Sequence, residues 1–315
     1  MQDDKTILGT IEPDVAERLV SRRDAIRKGA SVSTAAMAGL AMASVPVALA
    51  ALARSAFAQA PASVTDVLNF ALMLEIFENE FYKAVLGTSS STAQNNAFAT
   101  ARTAAAAVPG AVEALQQISK HETAHVAFLL ANGATNTLSL DASKFDFTGA
   151  RGTGDGPFLR AKTELDFLLV VAQAAEDTGV RAYKGQAPNL QANPAVLEAA
   201  LRIHSVEARH ASKIRRMRRA TGAPSDVRYS GTVRGGGAGA AGAGNVSAPP
   251  QAVVNALGAI YGGASPESTT TEMDVNVVVL PDVATSVAVT EAFDEPLTKD
   301  EVRAIVQPFF VPTIP

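Results

Sequence analysis

The chain reads as an all-α protein: a four-helix bundle with a long crossover between its second and third helices, followed by an irregular C-terminal extension. Three observations predict this. Four long segments carry apolar residues at helical spacing. Alanine is abundant while aromatic residues make up 5% of the chain and tryptophan is absent, which suits close-packed helices better than a sheet sandwich. A turn-rich stretch separates the second segment from the third.

Ahead of the bundle lies an address. Ser21-Arg-Arg-Asp-Ala-Ile-Arg-Lys28 is basic, an alanine-rich apolar run follows over residues 29–53, and Ala56-Phe57-Ala58 offers a small-x-small cleavage site. Together these make an export signal. The paired arginines after serine are similar to the twin-arginine pattern, with Ala25 standing where that pattern usually has phenylalanine. Residues 1–58 are expected to be a twin-arginine-type signal peptide, leaving 59–315 as a periplasmic or otherwise exported chain that meets the membrane only through this segment. An uncleaved anchor is the alternative, since the run is long enough to span. Its Ala, Ser and Gly residues and Pro46 make it weakly hydrophobic, which favours the signal.

The bundle is expected over residues 59–225. Helix one, residues 63–86, places Val64, Val67, Leu68, Ala71, Leu72 and Glu75 on one stripe, with Ser63 or Thr65 as its cap and Gly87 to close it. Residues 92–107 form a short helical lead-in. Helix two, residues 110–132, lies between Pro109 and Gly133. Residues 133–156 are turn-rich, with Phe145 and Phe147 alternating with polar neighbours; a connection that long suits a crossover rather than a hairpin. Helix three is expected from Pro157, a good first-turn residue, to Lys184 before Gly185. Helix four runs from Asn193-Pro194 to about Ala220. Residues 226–250 form a Gly/Ala-rich linker that cannot be regular structure. In the extension, 251–315, residues 252–261 read as a helix and 275–280 as a strand, and Thr298 and Glu301 are spaced as a capping box. Its small core predicts packing on the bundle or on a neighbouring subunit, which leaves a homo-oligomer open.

Composition narrows the chemistry. A net charge of −4 gives no reason to expect nucleic-acid binding. The absence of cysteine excludes disulfides, thiolate metal sites, iron–sulfur clusters and a cysteine nucleophile. A metal here must be held by His, Asp and Glu, which suits iron, manganese or zinc.

All four histidines fall in two short stretches, His121-Glu-Thr-Ala-His125 on helix two and His204-Ser-Val-Glu-Ala-Arg-His210 on helix four. Each contains Glu-x-x-His: Glu122 with His125, and Glu207 with His210. That spacing puts both side chains on one helical face, about 60° apart around the axis. The other two helices each supply a glutamate followed seven residues later by a tyrosine, Glu75 with Tyr82 and Glu176 with Tyr183. One scheme is thus written twice, a Glu…Tyr helix followed by a Glu-x-x-His helix. Four inward glutamates would be prohibitively costly unpaired. Two divalent cations cancel their charge, and two neutral imidazoles complete the set: Glu75, Glu122, His125, Glu176, Glu207 and His210.

This scheme resembles the ferritin-like superfamily of dinuclear carboxylate proteins. Leu68-Asn-Phe-Ala-Leu-Met-Leu-Glu75, Glu80-Phe-Tyr82 and Lys120-His-Glu-Thr-Ala-His125 are similar to exported bacterial ferritin-like domain proteins, as are Tyr261-Gly-Gly-Ala-Ser-Pro-Glu267 and Glu291-Ala-Phe-Asp-Glu-Pro-Leu-Thr298. The resemblance implies two iron or manganese ions and an oxidoreductase acting on dioxygen or hydrogen peroxide, with Tyr82 and Tyr183 as candidate catalytic residues. Ferrous-iron oxidation, peroxide reduction and manganese-type catalase all occur in the family. Lacking cysteine, the chain has no rubredoxin-like electron entry, whereas a catalase needs none. The alternative is an exported stress or structural protein with a structural metal site.

Plainer readings accompany these. His121-Glu122-x-x-His125 also matches a zinc-protease helix, but that leaves the second motif and the Glu…Tyr helices unexplained. His121 is expected behind a ligand or at the surface, and His204 either orients a ligand or faces solvent. Glu78, one turn beyond Glu75, competes with it, and Glu80 reads as a solvated charge. Tyr82 and Tyr183 also read as packing residues with satisfied hydroxyls. Glu164 and Asp166 read as surface charges near a helix start, and the basic run at 213–219 as the complement to a helix dipole.

Overall fold

In the computed structural model, which describes residues 62–220, 251–262, 271–272, 275–276 and 294–315, the bundle begins at a reciprocal cap. Ser63 accepts from the Asp66 N–H at 3.1 Å while the Asp66 carboxylate accepts from the Ser63 N–H. This launches α1 (Val64–Leu86), which ends on Gly87 in the left-handed conformation, φ 78°. The lead-in divides into α2 (Thr92–Ala97) and α3 (Ala99–Ala106), broken at the fully buried Phe98. α4 (Ala111–Ala131) follows Gly110, also left-handed. α5 spans Leu165–Gln186 and α6 spans Pro194–Ala220.

Contacts along the helices give their directions. Asn69 meets Thr135 beyond the end of α4, and Asn79 meets Thr123, so α1 and α4 are antiparallel. His204 meets Val180 and Arg218 meets Gln173, so α5 and α6 are antiparallel as well. Tyr82 reaches Glu176 and Tyr183 reaches Glu75, which makes α1 and α5 antiparallel. Hence α4 and α5 point the same way. The chain leaving α4 must travel the length of the bundle before α5 can start, and the long connection does this.

Helix three starts later than its sequence suggests. Pro157 opens a segment with a 3-10 turn, Leu159–Lys162, and Glu164 is extended before α5 begins at Leu165. Tertiary packing overrides the proline signal: Phe158 and Ala161 are buried, and Phe158 stacks on Phe309 at 5.1 Å. The helix also continues through Gly185 to Gln186. Gly185 does not stop α5; a β-carbon there would run into the Leu297 backbone. Arg181 O accepts from Leu297 N–H at 3.1 Å, so the extension lies directly on this part of α5.

The extension contributes α7 (Gln251–Tyr261) and α8 (Lys299–Val306). The latter starts with the Thr298–Glu301 capping box. A two-residue antiparallel ladder pairs β1 (Thr271–Glu272) with β2 (Val275–Asn276), and the rest of the expected 275–280 strand lies outside the described residues. So do the expected signal segment, 1–58, and the linker, 226–250. Among the described residues no helix is long and apolar enough to cross a membrane.

Most of the phenylalanine is gathered where the crossover and the C-terminal residues meet α1. Phe77 lies with its ring centre 5.5–6.0 Å from those of Phe145, Phe147, Phe309 and Phe310. Backbone bonds stitch the two segments: Asp146 N–H donates to Phe309 O at 2.8 Å and Val311 N–H to Lys144 O at 2.9 Å. The basic run at the end of α6 does more than complement a helix dipole. Arg215 donates to both oxygens of the buried Asp177 at 2.7 Å, and Arg218 donates to Gln173. Both arginines share the face of Ile214 and Met217, which packs inward. Tyr261 of α7 joins this network by donating to Asp177 at 2.7 Å.

Candidate metal centre

Each of the four long helices sends one glutamate to the same level of the bundle. Glu75 (α1), Glu122 (α4), Glu176 (α5) and Glu207 (α6) are all fully buried, and His125 and His210 lie beside them at 8% and 3% exposure. The helix pairs explain the convergence. In each antiparallel pair, a glutamate on one helix faces a Glu-x-x-His on the other, and the two pairs close face to face.

Two groups of ligand atoms result, each with all members within 4.8 Å of one another. One is Glu75, Glu122, His125 and Glu207; the other is Glu122, Glu176, Glu207 and His210. Glu122 and Glu207 belong to both. His125 Nδ1 lies 3.0 Å from Glu75, 3.4 Å from Glu122 and 3.1 Å from Glu207. His210 Nδ1 lies 2.9 Å from Glu122, 3.2 Å from Glu176 and 3.5 Å from Glu207.

The Glu…Tyr spacing turns out to be an exchange between helices. Tyr82 of α1 donates to Glu176 of α5, and Tyr183 of α5 donates to Glu75 of α1 at 2.5 Å. Each tyrosine therefore holds the glutamate of the opposite helix, and its burial leaves the hydroxyl no bulk water to prefer. Burial, reinforced by the neighbouring carboxylates, pushes both phenols well above their ordinary range, so they remain donors.

Without cations the centre leans on protons. Burial, with Glu207 beside it, pushes Glu75 well above the ordinary carboxylate range, and burial does the same to Glu176. Burial pulls His125 and His210 down, but the surrounding carboxylates outweigh it and raise both to about 12. Glu207 shows the reverse balance: burial pushes it up, and the two imidazoles bring it to about 2.

The donor set fits divalent metal. Carboxylate and imidazole are the ligands that iron and manganese accept. The buried oxygens of Glu122 and Glu207 have no hydrogen-bond partner, although imidazole nitrogens lie 2.9–3.5 Å away. Folded proteins rarely leave buried oxygens in that condition. Cations held by both residues would give these oxygens the partners they lack.

The remaining candidates separate. Glu78 is buried beside the centre but belongs to neither group, so it is Glu75 that sits among the ligand atoms. Among the described residues no group joins His121 to His125, as a zinc-protease helix would require. His121 instead sets its Nδ1 2.8 Å from His210 Nε2. His204 donates from Nδ1 to the Val180 carbonyl at 3.0 Å. Glu80 pairs with Lys83, Glu164 pairs with Arg160, and Asp166 is exposed. Sequence reasoning missed the Asp177–Arg215–Tyr261 network. It also passed over Gly179, whose β-carbon would lie 3.2 Å from Glu78 Oε1. Aligning helix one with helix three on their glutamates would have found that glycine opposite Glu78.

A family model described as "Ferritin-like domain" matches residues 63–220, the stretch from the start of α1 to the end of α6. Neither a curated protein nor a solved structure matches the chain.

Proposed function

The chain belongs to the ferritin-like domain family, and from this we propose that it holds two iron or manganese ions and acts, after export, as an oxidoreductase on dioxygen or hydrogen peroxide. One observation carries the reading: two ligand groups share Glu122 and Glu207, whose oxygens are buried without hydrogen-bond donors. In this reading Glu75 and His125 complete one position, and Glu176 and His210 the other. Iron or manganese bound there would supply one-electron redox chemistry toward a small oxygen species.

The chain's own residues have definite tasks. Glu122 and Glu207 belong to both ligand groups and would be shared between the two positions. Tyr82 and Tyr183 each hold one oxygen, of Glu176 and of Glu75, which would leave the other oxygen of each for a cation. Burial of all four carboxylates keeps bulk water from competing for the ligands. An apolar cavity of about 130 Å³, lined by Leu74, Leu129, Tyr183 and Ile203 among others, lies along the same helices. Such a lining suits a small uncharged molecule, as dioxygen and hydrogen peroxide are. With no cysteine to bring electrons in, peroxide disproportionation is the peroxide chemistry that needs no electron donor. The export part of the proposal rests on the paired arginines, apolar run and Ala56-Phe57-Ala58.

The test is metal content of the protein purified from its own cells, followed by a peroxide-consumption assay. The expected result is two iron or manganese ions per chain and measurable turnover, with a mature N-terminus near residue 59. Two ions without turnover would hand the site to the structural alternative, in which the metals only clamp the four helices. A metal-free chain that also takes up no added Mn(II) or Fe(II) would overturn the proposal.

A further inference from the structure

The centre is built from a repeated scheme, and the places where the repeat breaks are informative. Laid on each other by their ligand glutamates, α1 and α5 match at Glu75 with Glu176 and at Tyr82 with Tyr183. One turn past the glutamates they differ: α1 has Glu78 and α5 has Gly179. Glycine inside a helix costs about 1 kcal/mol relative to alanine, so its presence calls for a spatial cause. A β-carbon at Gly179 would lie 3.2 Å from Glu78 Oε1, 3.7 Å from Glu207 Cγ and 3.8 Å from Glu207 Oε2. The glycine makes room for a fifth buried carboxylate against Glu207. Glu78 Oε1 faces Gly179 of α5, one turn past Glu176. Glu78 therefore leans toward the Glu176 half.

The second break is on the other pair of helices. Laid on each other by Glu-x-x-His, α4 and α6 match at Glu122 with Glu207 and at His125 with His210, but His121 faces Val206 in the comparison. His121 backs His210: Nδ1 to Nε2 is 2.8 Å, and the rings stack 5.1 Å apart at 14°. For His210 to offer Nδ1 to a cation, its proton must sit on Nε2, and His121 Nδ1 is placed to accept it. The remaining histidine, His204, is engaged with the Val180 carbonyl instead of standing behind His125. Both breaks therefore strengthen the same half. The apolar cavity borders the other half: Leu74 adjoins Glu75, Tyr183 holds Glu75, and Leu129 lies one turn beyond His125.

We infer that the two metal positions are unequal: the Glu176/His210 position, supported by Glu78 and His121, binds first and retains its cation, while the Glu75/His125 position beside the cavity exchanges. This rests on the two-metal reading above. Glu78 places one more carboxylate beside the retained position, and His121 holds its imidazole ligand in one tautomer and orientation. The exchanging position lacks both aids and borders the space a small uncharged molecule would enter.

The experiment titrates the metal-free full-length chain with Mn(II), reading free Mn(II) by electron paramagnetic resonance and binding heat by calorimetry. The expected outcome is two phases separated by about tenfold or more in affinity. Outer supports of metal ligands are typically worth about 10–100-fold in affinity, so Glu78→Gln and His121→Phe should each weaken the tight phase by about tenfold and spare the weak one. Tyr183→Phe should do the opposite. Should Glu78→Gln fail to fold by circular dichroism, Gly179→Ala replaces it, because the added methyl would meet Glu78 Oε1 at 3.2 Å and force that carboxylate to shift. Two equal phases in the unmodified chain would overturn the inference and leave the two-metal reading standing. So would a Glu78 or His121 variant that weakens only the weak phase. No Mn(II) binding at all would remove the two-metal reading itself.

Discussion

Two residues apart on α1, Glu75 and Phe77 look into opposite kinds of interior. Around Glu75 the buried surface is acidic, and its oxygens wait on imidazoles, phenols and cations. Around Phe77 it is aromatic, with Phe145, Phe147, Phe309 and Phe310 closing on one ring. The aromatic cluster stabilises the fold by removing apolar surface from water, which needs no partner outside the chain. The carboxylate centre does the reverse: buried charge opposes folding unless something neutralises it. One helix thus carries the region that holds the fold together and the region whose cost the fold absorbs for function.

The widest separation between the regions should come from Glu122→Ala. This removes a ligand common to both groups, so Mn(II) uptake should fall from two ions per chain to none, measured by metal analysis after dialysis. Metal-free folding should weaken as well, because Glu122 lies 2.9 Å from His210 and 3.4 Å from His125 and partners both buried imidazoles. Retention of both ions would break the comparison. The intact centre should also be sensitive to pH. His125 and His210 hold protons up to about 12 and must release them before binding metal. Protons compete with cations below that value, so Mn(II) affinity should rise as pH rises through neutrality. A pH-independent affinity would contradict this.

Phe77→Ala is the corresponding cut in the other region. Emptying a buried phenylalanine site costs about 3–5 kcal/mol, and loss of this ring should separate α1 from both the crossover and the C-terminal residues. Urea unfolding should show the same loss with and without metal. A loss confined to the metal-loaded chain would mean that the regions are coupled rather than distinct. Next in size is Arg215→Ala, which leaves Asp177 buried without its ion-pair partner. Breaking a buried pair from one side costs about 3 kcal/mol. Here the readout is exposure of the extension: Tyr261 should become accessible to solvent while Mn(II) uptake is kept.

The two regions also differ in how far the sequence discloses them. The four helices and the six candidate residues that converge are legible because their constraints are local: a 3.6-residue period, and Glu-x-x-His written twice among four histidines. Glu75 could be preferred to Glu78 from the seven-residue spacing to Tyr82. That spacing could not say that Tyr82 would bind Glu176 rather than its own helix's glutamate. Reciprocity depends on two helices running antiparallel, which is settled by tertiary packing. The same limit applies to the start of α5. Pro157 carries a strong helix-start signal, yet Phe158 and Ala161 are drawn into the aromatic cluster and the helix waits until Leu165. Gly185 misled for a related reason: a glycine that admits another segment's backbone has the same letter as one that ends a helix.

The smallest effects test whether the exchanged tyrosines belong to the centre or to the packing around it. Tyr82→Phe and Tyr183→Phe each remove one hydroxyl and keep the ring, so only the bond to a glutamate is lost. Each bond joins a buried phenol to a carboxylate, and such a bond contributes about 1.5–3 kcal/mol when the acceptor is ionised and about 1 kcal/mol when it is neutral. Burial pushes Glu75 and Glu176 well above the ordinary carboxylate range, toward the neutral form, in the metal-free chain. Cations would restore their charge. Each substitution should therefore cost about 1 kcal/mol without metal and more with it, measured by unfolding in both states. Pure packing residues would show the same small loss in each. Because the tyrosines act across the helix pair, Tyr82→Phe should loosen the position that contains Glu176, and Tyr183→Phe the one that contains Glu75.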